Sequence, residues 1–205
     1  LLVDGERTTV EYYNDNRHLP PALSTFGRQT WWRGSGSGAE NLRYEQLTFP
    51  HDEAFYLQCY RDAWCNVHGS DEGFVPELYA RSAAKHAQEH PGSVVRALSG
   101  DTVVGLVELD PARDEQTGCG WISLLYMLPE YRGRGWAIQL LGYAFWFYEN
   151  HDRNTVRLHV SENNARAIAF YRRSGFVQLG RDPGVRERLL LMGRLIHRTV
   201  THGSV

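Results

Sequence analysis

The sequence predicts an α/β fold: a mixed, mostly antiparallel twisted sheet with helices on both faces. Three observations carry this. Val94 to Leu98 and Val103 to Leu109 are apolar runs around the tight turn Gly100-Asp101, which is a hairpin pattern. A strand-helix-strand unit comes later: Trp121 to Met127, a long helix from about Gly135 to Glu149, then Thr155 to Val160. Helical stretches fall both before and after these strands, so each face of the sheet has a cover.

In chain order, Thr8 to Tyr13 is rich in strand formers, Asn14-Asp15-Asn16 is a turn, and Pro20-Pro21 forbids a helix. A lone strand is not stable, so this arm must dock, pair with another chain, or be the remnant of an upstream domain. Gly34-Ser35-Gly36-Ser37-Gly38 lacks side chains that pack and reads as a flexible connector. Residues 1–38 are therefore expected to form an arm and linker, 39–197 the main domain, and 198–205 a tail. Within that domain Asn41 to Leu47 reads as a strand. Asp52 opens a helix whose apolar face is Phe55, Tyr56, Cys59, Tyr60 and Ala63, and Pro76 to Gln88 a second one. After the strand-helix-strand unit come a helix over Asn164 to Arg173 and strands near Phe176 to Leu179 and Arg188 to Leu195.

A chain of 205 residues, 42% hydrophobic and 22% charged, fits one globular domain with an appendage. Its 22 Lys and Arg against 24 Asp and Glu leave a net charge of −2, so no positive field recruits nucleic acid or an anionic membrane. Cys59, Cys65 and Cys119 form neither a disulfide framework nor a zinc site, so a reducing, cytoplasmic setting and no metal are expected. Nothing reads as a membrane span. The chain opens on Leu1 rather than Met, which reads as an internal position of a longer product or the end left by a removed segment.

The most informative stretch is Tyr126-Met127-Leu128-Pro129-Glu130-Tyr131-Arg132-Gly133-Arg134-Gly135-Trp136-Ala137, which leaves an apolar strand and enters an apolar helix. Pro129 stops strand pairing, and Gly133 and Gly135 let the backbone turn and approach a ligand without Cβ obstruction. The first helical amides have no partner inside the helix and sit at its positive end, which favours a diphosphate. Arg132 and Arg134 add charge. A Walker loop is excluded because no Lys-Ser or Lys-Thr pair follows the glycines. The dinucleotide fingerprint also fails, since Ile138 stands where a third Gly is needed.

This string resembles the acetyl-CoA-binding motif of the GCN5-related N-acetyltransferase (GNAT) family: Arg or Gln, two residues, Gly, one residue, then Gly or Ala. The matching residues are Arg132, Gly135 and Ala137, and Leu125 to Tyr131 is similar to the strand end that hydrogen-bonds the pantetheine arm. Downstream, Asn164-x-x-Ala167-Ile168-x-x-Tyr171-x-x-x-Gly175-Phe176 resembles the second signature of the same family. Asn164 and Tyr171 lie seven positions apart, so one helical face presents both with Ile168 between them.

The resemblance implies an acyl-CoA N-acyltransferase fold and acetyl-CoA as cosubstrate. The cosubstrate would be held by Met127, Leu128, Arg132, Gly133, Arg134, Gly135, Trp136, Ala137, Asn164 and Tyr171. It further implies that the N–H of Met127 or Leu128 polarises the acetyl carbonyl and that Tyr171 gives a proton to the departing sulfur. An alkyl amine has a pKa of about 10.4, so a base is also needed. Several family members use a carboxylate on the fourth strand, but Trp121 to Met127 has none. Glu108 is the first candidate, with Asp110, His159 or a water chain through Ser123 as alternatives.

The acceptor is expected over the first two helices, where Tyr56, Tyr60, Trp64, Tyr79, Asp71, Glu72 and Glu77 combine rings and acids suited to a cation. The reading is an acetyl-CoA-dependent N-acetyltransferase acting on a primary amine of a small molecule or peptide, with a homodimer left open. The alternatives are a catalytically silent acyl-CoA-binding sensor and a module fused to a phosphatase. The last arises because Tyr13 to Leu19 is similar to the closing segment of histidine-phosphatase-type domains.

Overall fold

The computed structural model describes residues 2–4, 7–9, 41–183 and 188–196. The chain divides into two units, Leu1–Ala39 and Glu40–Val205. In the first, β1 (Leu2–Asp4) pairs antiparallel with β2 (Arg7–Thr9), placing Leu2 opposite Thr9 and Asp4 opposite Arg7. The expected lone strand is thus corrected to a two-stranded ribbon, in which β1 meets the backbone groups that β2 would otherwise leave unpaired. Residues 10–13 of the expected strand, the Asn14-Asp15-Asn16 turn, Pro20-Pro21, the Gly34 to Gly38 connector, the segment from Tyr13 to Leu19 and residues 198–205 lie outside the described residues.

The second unit is built from β3 (Arg43–Gln46), α1 (Glu53–His68), α2 (Pro76–Glu89), β4 (Val94–Ser99), β5 (Thr102–Asp110) and β6 (Cys119–Met127). It continues with α3 (Ala137–Asn150), β7 (Thr155–Ser161), α4 (Ala165–Arg173), β8 (Val177–Asp182) and β9 (Leu189–Leu195). These strands form an open seven-stranded sheet in the order β3-β4-β5-β6-β7-β9-β8. Every neighbouring pair is antiparallel except β6 with β7, whose link through α3 is the strand-helix-strand unit. This is the mixed, mostly antiparallel sheet that the sequence predicts.

Both faces are covered. Tyr56 and Cys59 of α1 and Ala83 and Ala87 of α2 pack with Val94, Leu106 and Tyr126 on one face. Leu140, Leu141 and Phe147 of α3 and Ile168 of α4 pack with Val95, Val107 and Leu158 on the other. Double-sided burial explains why β4 and β5 read as nearly continuous apolar runs rather than alternating ones. No helix among the described residues is long and apolar enough to cross a membrane.

Two contacts set α3 against β6. The Tyr148 hydroxyl accepts from the Trp121 amide at 3.0 Å and donates to the Trp121 carbonyl. A Cβ on Gly120 would meet the Tyr148 ring at 2.5 Å, so only glycine permits this approach. The C-terminal end of α3 is thereby pinned beside the start of β6, and the helix begins shortly after that strand ends. It begins at Ala137 rather than Gly135 because Gly135 has φ 80°, outside the helical region.

Candidate active site

The sheet parts in its middle. β6 pairs with β7 only from Cys119 opposite Thr155 to Ile122 opposite Leu158. Beyond that point Gly105 to Glu108 of β5 hold Leu124 to Met127, while β9 holds His159 to Ser161. The opening coincides with a bulge: Glu108 faces Leu124 and Leu109 faces Ile122, which leaves Ser123 without a partner and exposed. Backbone groups along an antiparallel strand point alternately to its two sides. The Leu128 amide donates to the Val104 carbonyl at 3.0 Å, so the Met127 amide points the other way, into the gap. Of the two amides expected to polarise a carbonyl, Leu128 is therefore committed to β5 and Met127 remains.

The loop closing this gap turns through a single 3₁₀ turn, Pro129–Tyr131, then through Gly133 at φ 83° and Gly135 at φ 80°. A non-glycine residue is strained at such angles. A Cβ on Gly133 would meet nothing within 4 Å, so the loop faces open space. Trp136 precedes α3 without a side-chain cap, and no described group accepts from the amides of Gly133, Gly135 or Trp136. These unpaired donors lie at and just before the positive end of a helix, an arrangement suited to a diphosphate.

The two arginines differ. Arg134 is exposed and reaches over the Tyr131 and Trp136 rings at 5.1 and 5.6 Å. Arg132 is turned inward: Nε donates to the Met127 carbonyl at 2.9 Å and a guanidinium N–H to Asp62 of α1 at 2.9 Å. The Tyr126 hydroxyl donates to the same Asp62 oxygen. Arg132, expected to add charge toward a phosphate, is thus also paired with a carboxylate of α1. Burial raises the Asp62 pKa, but hydrogen bonds from Tyr126 and Arg132, with the guanidinium charge, outweigh this and hold the carboxyl below its ordinary value.

On α4, Asn164 is the N-cap rather than a residue of the helical face, and its Oδ1 accepts from the Ala167 amide at 3.0 Å. Its carboxamide oxygen is thus used by the helix, leaving the NH₂ end for a ligand. Tyr171 is half-buried, edge-on to Phe176 at 5.5 Å, and α4 ends as Gly175 adopts φ 84°. No described residue hydrogen-bonds the Tyr171 hydroxyl, and burial pushes its pKa up, so it stays protonated at neutral pH.

Across the gap, Glu108 is 3% exposed beneath α1, where its Oε2 accepts from the Tyr56 hydroxyl at 2.9 Å. Its Oε1 lies 3.5 Å from Nδ1 of His86 on α2, and Nε2 of His86 lies 3.5 Å from Asp110 Oδ1. Burial, then the charge of Glu108, raises the pKa of Tyr60 and Tyr79, and the same pair of causes leads for Tyr56. His159 stands apart at the parting of the strands, its Nε2 2.6 Å from Asp182 Oδ2 and its ring beside Trp121.

The aromatic residues of α1, α2 and their connection, where the acceptor is expected, form a packed cluster rather than an open box. Tyr60 and Tyr79 lie 4.3 Å apart and Phe74 and Tyr79 5.1 Å apart, with Trp64 5.9 Å from Phe74. Tyr56 is fully buried, whereas Asp71, Glu72 and Glu77 are exposed around the α1–α2 connection. The rings fill one another's faces, so the acids and the cluster's rim are what remains for a cation.

The model of the acetyltransferase (GNAT) family matches residues 50–176, more than half of the chain. The chain belongs to this family. No curated protein sequence matches it. Among solved structures, Ard1 from Thermoplasma volcanium is similar at 19% identity, covering 77% of this chain and 99% of that one with a TM-score of 0.62. The ribosomal-protein-alanine N-acetyltransferase from Brucella melitensis is similar at 21% identity, covering 75% and 99% with a TM-score of 0.60. The spermidine N-acetyltransferase from Vibrio cholerae, solved with CoA and spermine, is similar at 19% identity, covering 78% and 99% with a TM-score of 0.60. At these identities the likeness is one of fold.

In this GNAT domain the parted strands, the glycine loop, Tyr126 and Tyr171 come from the segments that the sequence singled out, whereas Asp62 and His86 do not. Asp62 had a signal: a carboxylate three positions after buried Cys59, beside the apolar face of α1. Asp62→Asn is expected to raise the KM for acetyl-CoA by about two- to fivefold, the range of a partly exposed charged pair. An unchanged KM would show that Arg132 holds the loop without it. Because the Asp62 pKa is depressed on folding, its stabilisation is present above the ordinary Asp value and is lost as pH falls through the lowered one. The variant's acid-unfolding curve should lack that component.

Proposed function

We propose that this GNAT domain moves an acetyl group from acetyl-CoA to a primary amine by direct attack. The observation that carries the reading is the parting of β6 from β7 beside an uncapped, glycine-turned helix start. The gap offers strand-edge hydrogen bonds to an amide-bearing arm, and the helix start offers free N–H donors to its diphosphate. The exposed space at Gly133 and the unused amides of the loop fit such a donor.

Acetyl-CoA supplies an activated thioester when bound. The protein's own groups then divide the work. The Met127 N–H points at the carbonyl oxygen and stabilises negative charge as it develops there. Tyr171, protonated at neutral pH, gives its hydroxyl proton to the departing sulfur and regains one from the second N–H that the nitrogen loses as the amide forms. Glu108 takes the proton from the acceptor's ammonium, since β6 carries no carboxylate and Glu108 lies on the adjacent strand opposite Leu124. The acids around the α1–α2 connection favour a cationic acceptor.

The test is thiol release from acetyl-CoA across a panel of polyamines, amino-terminal peptides and aminoglycosides, paired with calorimetric titration of CoA. Turnover with at least one amine is expected. Binding of CoA without turnover on any would replace the enzyme with a silent acyl-CoA-binding domain.

A further inference from the structure

A base that is 3% exposed has a difficulty of its own: the proton it takes must leave. Glu108 lies beneath Tyr56, and a proton retained there would block the next cycle. His86 on α2 is the neighbour that links this carboxylate to a more accessible one. Its imidazole stands 3.5 Å from Glu108 on one side and 3.5 Å from Asp110 on the other. Glu108 and Asp110 are alternate residues of β5 and so project to the same face of the sheet. The Asp110 side chain is 23% exposed, and its Oδ1 accepts from the amide of the exposed Arg113. His86 is itself buried, and Nδ1 has no well-formed hydrogen bond, because 3.5 Å is too long for one. Catalytic contacts are often long before substrate binds and tighten afterwards. Among the described residues, no group of three His, Cys, Asp or Glu is placed to hold a metal ion, so these three side chains are not a metal site in waiting.

We propose that His86 relays to Asp110, and so to solvent, the proton that Glu108 takes from the acceptor amine. This rests on Glu108 being the base. The acceptor's N–H bond breaks and a Glu108 O–H bond forms. That proton passes from Glu108 to Nδ1 of a neutral His86 while the proton on Nε2 passes to Asp110, which releases it to water; before the next turnover exchange with water removes the Nδ1 proton and returns one to Nε2, restoring the starting tautomer. No electrons are exchanged, and one proton leaves for each acetyl group moved. His86 touches no substrate and acts through Glu108.

The relay works only with His86 neutral at the start. The groups facing it are Glu108 and Asp110 from β5 and Lys85 from its own helix, with Tyr56 of α1 holding the far oxygen of Glu108. Contact with Glu108 raises the His86 pKa, burial opposes this, and Asp110 raises it further, the net result lying above the ordinary histidine value. Turnover should therefore rise with pH through that raised value. Stability runs the other way: the charged imidazole stabilises the fold below the ordinary histidine value, and this is lost as pH climbs through the raised one.

The experiment compares His86→Gln, Glu108→Gln and the double variant on the full chain, with an amine the wild type accepts. His86→Gln is expected to lower kcat by about ten- to a hundredfold with the KM for acetyl-CoA within about twofold, and to remove the acidic limb of the pH profile. The double variant should be no slower than Glu108→Gln, since the two residues act in one path. A His86→Gln enzyme with wild-type kcat and pH profile, beside an impaired Glu108→Gln, overturns the relay and leaves the base in place. A Glu108→Gln enzyme with wild-type kcat overturns the base and the relay with it. Should His86→Gln fail to fold, a proton inventory of the wild-type enzyme in mixed light and heavy water decides: a curved plot supports several protons in flight, and a straight one overturns the relay.

Discussion

Tyr171→Phe is expected to lower kcat by about a hundred- to a thousandfold while the dissociation constant for acetyl-CoA stays within about twofold. The substitution removes one oxygen and keeps the ring. The edge-on contact with Phe176 and the packing against the core are therefore preserved. No described residue uses the hydroxyl for structure, so its loss leaves no orphaned partner and falls on chemistry alone. Burial raises the phenol's pKa, so the wild-type enzyme should show no falling limb from Tyr171 until well into the alkaline range. Steady-state kinetics with calorimetry of CoA binding read the two effects separately. Retained kcat would assign the thiolate's proton to another donor.

Gly135→Val should weaken acetyl-CoA binding by about a hundredfold or more, as two costs combine. At φ 80° a residue with a Cβ is strained by about 1–2 kcal/mol, and a β-branched one by more, so the loop leaves its ligand-ready shape. The added methyl groups also stand where the backbone must approach a diphosphate. Calorimetric titration of CoA measures the loss, and circular dichroism confirms that the sheet and α3 persist. Affinity close to that of the wild type would move the diphosphate away from this turn.

The chemistry-bearing segments were readable because they depend on local backbone demands. Two glycines between a strand and a helix declare a turn, and Tyr171 with Ile168 declares a helical face. What escaped depends on partners distant in the chain. Arg132 carries no local mark of its pairing with Asp62, seventy positions earlier. His86 reads as one more residue of an amphipathic helix until the sheet sets Glu108 and Asp110 beside it. The choice between Met127 and Leu128 turns on strand parity, which a shift of one residue reverses and which only the pairing of Leu128 with Val104 fixes. Asn164 has the right spacing for the face but also the chemistry of a cap, and the cap prevailed.

In the proposed reaction, the tie between α1 and the arginine after β6 joins the two substrates' territories by a single carboxylate. An acceptor that shifts α1 on arrival alters how firmly the donor is gripped, and the donor must alter acceptor affinity by the same factor, since both orders of arrival reach one ternary complex. Titrating each ligand with the other present measures that factor twice, and cutting the tie should bring both values toward unity.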